Sequence, residues 1–383
     1  MNSTVQAPDP HRTLHVARTS SAQHSDYLRA RCRHSHEVSF LQDASWARVK
    51  PEWGAELLGW FDGEEQLGAA LVLYRRLPGA RRVFAYVPEG PVLDWAALDL
   101  GAWIDPLLDH LREAGAFAVR MGPPLAFRRW YTDTLKSAVG PGRQIGHVVP
   151  DQVEPLGTSV AEQLREAGWQ RRDDNAQPRY VFEVPLAERS LEDVWAGLNQ
   201  EWRRNIKRAT RYGVTAEVGT ADYLPAFHEL LRTTERRDGF SLGRSLEYFE
   251  RQFAVLNEEE PERMRLYIAR HDGEVLAAHT MITMGRRAWY QTGASASHRR
   301  EVRPSHALQW RMLRDALAGG AAVYDMRGVP ATLDPENRSF GLTRWKLGTG
   351  GEVAETLGEW ETPLEGTVNR TLHRTMRAYL ARR

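Results

Sequence analysis

The sequence predicts an α/β protein of two similar units in tandem, and three observations carry that prediction. The chain has 383 residues, long for one core, so two domains are its natural division. Residues 62–70 (DGEEQLGAA) resemble residues 272–278 (DGEVLAA); each reads as a two-residue turn feeding a strand, and an arginine pair follows both, Arg75-Arg76 and Arg286-Arg287. Residues 107–121 (LLDHLREAGAFAVRM) resemble residues 312–326 (MLRDALAGGAAVYDM); each reads as an amphipathic helix, a glycine break and a buried strand. Strand–helix–strand units look alike in any α/β protein. The shared order of turn, strand, strand, helix, strand at a matching offset favours duplication.

Taken in order, residues 1–20 are polar, have no apolar h-region and read as a disordered tail rather than a secretory signal. The first unit is expected over residues 21–178. It contains a Gly/Pro-rich stretch at 140–155, a helical segment at 160–168 and a charged loop at 171–178, where the boundary is placed. The second unit is expected over 179–362, with a C-terminal helix at 363–383 packing back on the first. Residues 190–212 form the clearest helix. Ser190 and Asp193 make a capping box, Gly213 supplies the stop, and Val194, Leu198, Trp202, Ile206 and Ala209 form its apolar stripe. Its other face carries Arg203, Arg204, Lys207, Arg208 and Arg211, either a solvated face near a helix C-terminus or a track for a phosphate backbone.

The composition, 42% apolar and 26% charged, fits a soluble cytoplasmic protein, and no run of 18 apolar residues could span a membrane. The single cysteine, Cys32, excludes an internal disulfide. A net charge of +1 does not mark a bulk nucleic-acid binder, so a polyanion would have to meet local basic patches. Only four lysines, Lys50, Lys136, Lys207 and Lys346, stand among 47 arginines, which marks them as candidates for places that need a compact ammonium. No P-loop, nucleophile elbow, zincin motif or paired C-x-x-C is present. The Cys32-x-His34-x-His36 run has the wrong spacing for a zinc finger, and neither a metal nor a cofactor is expected.

Two α/β units of this pattern resemble acetyltransferase-like (GNAT-like) folds. The acyl-CoA cradle of such folds, R-x-x-G-x-[GA], is not evident. Residues 76–81 fail at the last position and carry Pro78, and residues 299–304 lack a glycine. Seven motifs in order resemble the FemABX family of aminoacyl-tRNA-dependent transferases. They are Gln42-x-x-x-Trp46-x-x-x-Lys50; Gly90-Pro91-Val92-Leu93-Asp94; the run from Trp202 to Ala209 with Tyr212-Gly213; and Glu235 to Phe240 leading into Arg244-x-x-x-Tyr248-Phe249. Trp289-Tyr290, Tyr324-Asp325-Met326-Arg327-Gly328 and Phe340-Gly341-x-x-x-Trp345-Lys346 complete the series. The resemblance covers residue 39 to the C-terminus. It implies two GNAT-like subdomains and, since residues 253–265 show no heptads, a member without the coiled-coil arm. Glu89 departs from the basic or aromatic residue the family has before Gly-Pro.

The resemblance implies attack by an amine of a peptidoglycan precursor, a UDP-linked or lipid-linked muramyl pentapeptide, on the ester of an aminoacyl-tRNA. Glycine is one donor residue by analogy. The ester arrives activated, so the protein need only bind, orient and stabilise charge. Lys346, placed by Trp345 in a final loop, is the expected oxyanion stabiliser. Asp94 is the expected acceptor-binding group or base. Lys50, Arg244, Tyr248 and Tyr290 are the expected acceptor grip, with Arg244 and Tyr248 on one helix face. Arg203, Arg204, Lys207, Arg208, Arg211, Arg299 and Arg300 are the expected contacts to the tRNA acceptor stem. A lipid-linked acceptor would bring the protein to the inner membrane face. Three readings compete: tRNA-dependent transfer to a small natural-product acceptor, CoA-dependent N-acyl transfer, and a degenerate fold kept as a binding module.

Overall fold

The computed structural model describes residues 14–33, 35, 38–77, 82–96, 99–174 and 176–380. The first unit runs β1 (His15–Arg18), α1 (Ser21–Cys32), α2 (Ala44–Val49), β2 (Gly54–Asp62), β3 (Glu65–Arg76), β4 (Val83–Val87), α3 (Leu100–Glu113) and β5 (Ala116–Met121). A middle stretch follows: β6 (Ala126–Tyr131), α4 (Thr132–Ser137), β7 (Gln152–Val153), α5 (Pro155–Glu166), β8 (Gln170–Arg171), β9 (Tyr180–Pro185), α6 (Leu191–Gly197) and α7 (Gln200–Arg211). The first pattern then recurs as β10 (Thr215–Gly219), α8 (Leu224–Asp238), α9 (Leu246–Glu259), β11 (Met264–His271), β12 (Glu274–Met284), β13 (Arg287–Ser295), α10 (Pro304–Ala318) and β14 (Val323–Gly328). The chain closes with α11 (Phe340–Leu347), β15 (Glu352–Thr356), β16 (Trp360–Pro363) and α12 (Thr367–Leu380).

The duplication is a property of the fold. Strands β1-β2-β3-β4-β5 lie side by side in one sheet and β10-β11-β12-β13-β14 in the other. In each set the first three pairings are antiparallel and the last, β4 with β5 and β13 with β14, is parallel. The repeated DGE segments are the β2–β3 and β11–β12 turns, where Gly63 and Gly273 take φ of 59° and 80°. The expected arm is absent among the described residues: α9 ends at Glu259, β11 begins at Met264, and the longest helices span 15 residues.

Four expectations need correction. Residues 15–18 of the expected tail form β1, paired with β2, and Ser20 caps α1 by accepting the Gln23 amide; residues 1–13 lie outside the described residues. The helix at 190–212 is two helices, because Asn199 caps a second start by accepting the Trp202 amide at 2.8 Å. The capping box and the buried stripe stand as read. Within 140–178 the helical segment expected at 160–168 is α5, but the Gly/Pro-rich stretch before it holds β7, and Arg171 of the expected charged loop belongs to β8. A cut near residue 178 does not separate the sheets either. β6 and β7 precede it yet belong to the second sheet, and β16 follows it yet pairs with β5 and β8 of the first. The reason is pairing chemistry that periodicity cannot show: Arg128 and Arg129 of β6 meet Glu355 and Glu352 of β15 at 2.6 Å each. Helix α12 lies against β5 and β16, with His373 on Glu361 at 2.6 Å and Arg377 on Asp174 at 2.8 Å.

The halves share one apolar core. Leu28, Phe40 and Trp46 of the first half pack with Phe227, Phe249 and Trp289 of the second, and the Phe40 and Trp289 rings meet edge-on at 5.0 Å. Buried Cys32 of α1 rests on the β12–β13 turn, where a Cβ on Gly285 would lie 2.5 Å from the cysteine Cβ, with φ at +53°. Gly285→Ala is therefore expected to lower stability by about 1–3 kcal/mol. Urea unfolding checks it, and an unchanged midpoint would mean the halves part freely at this seam.

Candidate functional site

Lys50 of the first half meets Tyr248 of the second, and Arg244 joins them on the same ring. Asp43 caps α2 by accepting the Ser45 amide at 3.0 Å and pairs with buried Arg263 at 2.9 Å; Lys50 is the C-cap of that helix. Ser245 caps α9, which packs on α2 and carries Tyr248 in its first turn. The Lys50 Nζ lies 4.8 Å from the Tyr248 ring centre and 5.9 Å from that of Trp46, and the Arg244 guanidinium lies 4.6 Å from the Tyr248 ring. Arg244 precedes the cap residue, so the expected shared helix face is corrected: the loop brings the pair together. Burial depresses Lys50, the nearby Arg244 and Arg251 guanidiniums depress it further, and Glu52 offsets part of this. Among the described residues none of these three cations forms an ion pair, and the buried Tyr248 hydroxyl has no hydrogen-bond partner. A cluster of positive groups with a buried unused donor suits an anion.

The second cluster forms around Lys346. It lies on helix α11 rather than in the expected loop and is 3% exposed. Its Nζ donates to the Met326, Gly328 and Arg327 carbonyls at 2.6, 2.7 and 3.3 Å. Burial pulls it down to about 7; Asp325 works the other way and Arg327 adds to the fall. Trp345 joins an aromatic group: its ring centre is 5.1 Å from Trp202, 6.2 Å from His306 and 6.4 Å from Tyr290. Burial holds His279 at about 3 and His306 at about 4, so both rings are neutral at ordinary pH. Gly293 is required beside Tyr290, because a Cβ there would collide with the tyrosine hydroxyl.

Between the sheets lies a cavity of about 110 Å³. Its walls include Ser39, Glu89, Glu183, Arg287, Asp325 and Arg327. Arg287 bonds Glu183 and, at 2.8 Å, Asp325. Arg129 bonds Glu183 at 2.8 Å, and although burial opposes ionisation, Arg287 and Arg129 together hold Glu183 at about 2. Arg327 bonds Glu89 at 3.1 Å and Gln177 at 2.9 Å, and Glu89 also accepts the Ser39 hydroxyl at 2.5 Å. Sequence reasoning assigned no role to this group. The Tyr324 to Gly328 run was its visible trace, but Glu89 and Gln177, its partners, lie some 150 or more residues away.

The other expected residues lie apart. Asp94 is exposed and its Oδ1 accepts the Ala96 amide at 3.2 Å; among the described contacts it joins neither cluster. Arg204, Lys207 and Arg211 line the exposed face of α7, while Arg203 and Arg208 are half-buried, Arg203 donating to the Ala196 carbonyl and Arg208 lying over Tyr212. Arg300 is exposed, and exposed Arg299 pairs with Asp272 at 3.3 Å, which offsets its charge. Residues 78–81, His34 and His36 lie outside the described residues.

Comparison with known proteins adds a frame. A model of the FemAB family matches residues 30–269, and one of an acetyltransferase (GNAT) domain matches residues 197–346. The chain is 21% identical to the Lipid II:glycine glycyltransferase of Staphylococcus aureus, over 84% of this chain and 87% of that one. Among solved structures, FemX superposes with a TM-score of 0.75 at 19% identity, covering 94% of this chain and 99% of that one. A tandem GNAT protein from the clavulanic acid biosynthesis pathway superposes with a TM-score of 0.52 at 13% identity, covering 92% and 99%. At such identities the likeness is one of fold: two GNAT-like units in tandem.

Proposed function

This chain belongs to the FemAB family, and from that premise we propose that it transfers an amino acid from aminoacyl-tRNA to an amine of a peptidoglycan precursor, building a side chain or cross-bridge. The observation that carries the reading is the cluster of Lys50 and Arg244 around Tyr248, with Arg251 nearby: cations that form no ion pair among the described residues, beside a hydroxyl with no partner there. Such a cluster suits the diphosphate of a nucleotide-linked or lipid-linked acceptor. The similarity to a Lipid II:glycine glycyltransferase supports a lipid-linked acceptor and glycine as donor residue. A lipid-linked acceptor would bring the protein to the membrane surface; no helix among the described residues is long and apolar enough to cross a membrane.

In the proposed step the acceptor's neutral amine attacks the ester carbonyl of the charged tRNA. The tetrahedral intermediate carries an oxyanion beside the cations of the Lys346–Arg327 region. It collapses by expelling the ribose oxygen of the tRNA, which takes up the proton the amine gives off, so neither an activating nucleotide nor a covalent carrier is needed. Tyr290 and Trp345 are proposed walls of the channel that orients the ester, and exposed Asp94 is proposed as an outer contact to the acceptor. The experiment is to incubate the protein with tRNA charged with mixed labelled amino acids and with UDP-linked or lipid-linked muramyl pentapeptide. A residue mass added to the acceptor and abolished by RNase supports the reading; no added mass on either acceptor sinks it.

The exposed cations Arg204, Lys207 and Arg211, with Arg203, Arg208, Arg299 and Arg300, are the proposed contacts to the tRNA. Charge reversal at Arg204, Lys207 and Arg211 together is expected to weaken tRNA binding and to flatten its salt dependence by roughly 2–3 in the log–log slope. Fluorescence titration at several salt concentrations checks this, and an unchanged slope would place the RNA on another face.

A further inference from the structure

Lys346 has no N–H left for a substrate. An ammonium carries three donors and a neutral amine two, and the Met326, Gly328 and Arg327 carbonyls surround the nitrogen and take them in either form. Lys346 does not line the inter-sheet cavity, whereas Arg327 does. We propose that Lys346 is a positioning residue, and that the guanidinium it positions, Arg327, is the cation that meets the reacting group.

The backbone shows how. The parallel pairing of β13 with β14 ends at Trp289 and Asp325, so Arg327 lies where the two strands have parted. Arg327 takes φ of +60°, a left-handed conformation that a residue with a side chain holds only when its surroundings impose it. Two tethers impose it. Asp325 Oδ1 accepts the Arg327 amide at 2.6 Å, and the Lys346 ammonium gathers three successive carbonyls around one nitrogen. Without that donor the three carbonyl dipoles would face one another and the turn would relax. Held as it is, the turn sends the guanidinium to Glu89 and Gln177 at the cavity wall. A guanidinium has five N–H groups, and these two bonds leave it able to donate to a further acceptor.

This inference rests on the proposed transfer reaction, in which Arg327 would hold the oxyanion. The test uses the full-length chain in two arms. Phenylglyoxal labelling of arginines, mapped by mass spectrometry, needs no substrate: Arg327 is expected to label several-fold faster in Lys346→Met than in the wild type, and equal rates overturn the positioning claim. Should Lys346→Met fail to fold, Lys346→Arg serves, since a guanidinium cannot send three donors from one nitrogen.

In the kinetic arm, Arg327→Gln is expected to lower kcat about 100-fold with KM for the acceptor unchanged. Arg327→Lys should recover part of the loss, and the double variant Arg327→Gln/Lys346→Met should fall no further than the worse single one, as expected of residues that act as a unit. Wild-type kcat in Arg327→Gln beside a crippled Lys346→Met would mean that Lys346 itself touches the substrate, and would overturn the proposal. If the wild type transfers nothing, the reaction reading fails with the oxyanion role, while the labelling arm still decides whether Lys346 positions Arg327.

Discussion

Replacing Lys346 with methionine is expected to lower kcat by about 100- to 1000-fold while leaving acceptor affinity near that of the wild type, the loss that follows when the Arg327 guanidinium it positions no longer meets the transition state. Methionine fills a similar volume, so packing changes little. It leaves the Met326, Arg327 and Gly328 carbonyls without their donor, and an unmet buried polar group costs about 1–3 kcal/mol. A lower melting temperature is therefore expected as well, and single-turnover rates on the fraction that remains folded separate the two effects. Near-normal kcat in folded protein would remove Lys346 from the reaction altogether.

The same residue ties stability to pH. Burial brings Lys346 to about 7 in the folded chain, against about 10.4 for a lysine in an unfolded one. Between those values the unfolded state binds the extra proton. The contribution of Lys346 is thus fully present above about pH 10 and is lost as the pH falls toward 7, at up to ~1.4 kcal/mol per pH unit. Subtracting the Lys346→Met curve from that of the wild type isolates this group. A flat difference between pH 7 and 10 would mean that the three carbonyls keep the ammonium charged.

Removing the anion cluster is the second large effect. Lys50→Met and Arg244→Ala are each expected to raise the acceptor KM about 10- to 100-fold, the worth of one charge-assisted hydrogen bond to phosphate. The change should shrink for an acceptor that lacks the diphosphate. Tyr248→Phe separates function from fold. Its hydroxyl is buried without a partner, so removing it is expected to leave stability unchanged or raised by up to about 1 kcal/mol, while acceptor affinity falls. Equal affinity in that variant would show that the hydroxyl does not touch the acceptor.

The repeat was legible because it is local. A DGE turn, a strand and an amphipathic helix before a glycine are written in neighbouring residues, and their order alone implied the paired units that the sheets display. The Lys346 and Tyr248 neighbourhoods were legible through motifs, but their geometry was not. The loop at Arg244 and the break at Asn199 depend on caps that a continuous apolar stripe conceals. Asp94 matched a motif by type and order, yet its place on the surface is set by the turn to Ala96.

By itself, then, the chain's order of residues determined the α/β class and the duplication, since these follow from periodicity, turn chemistry and spacing within some twenty residues, while the lack of an arm and the side chains to watch came from the family resemblance its motifs carry. Tertiary structure alone decided that β6 crosses to the second sheet, that Lys50 lies over the Tyr248 ring, and that Lys346 spends its donors on the backbone beneath Arg327. Each of those depends on partners far apart in the chain, and charge pairing between distant strands leaves no period in a sequence to read.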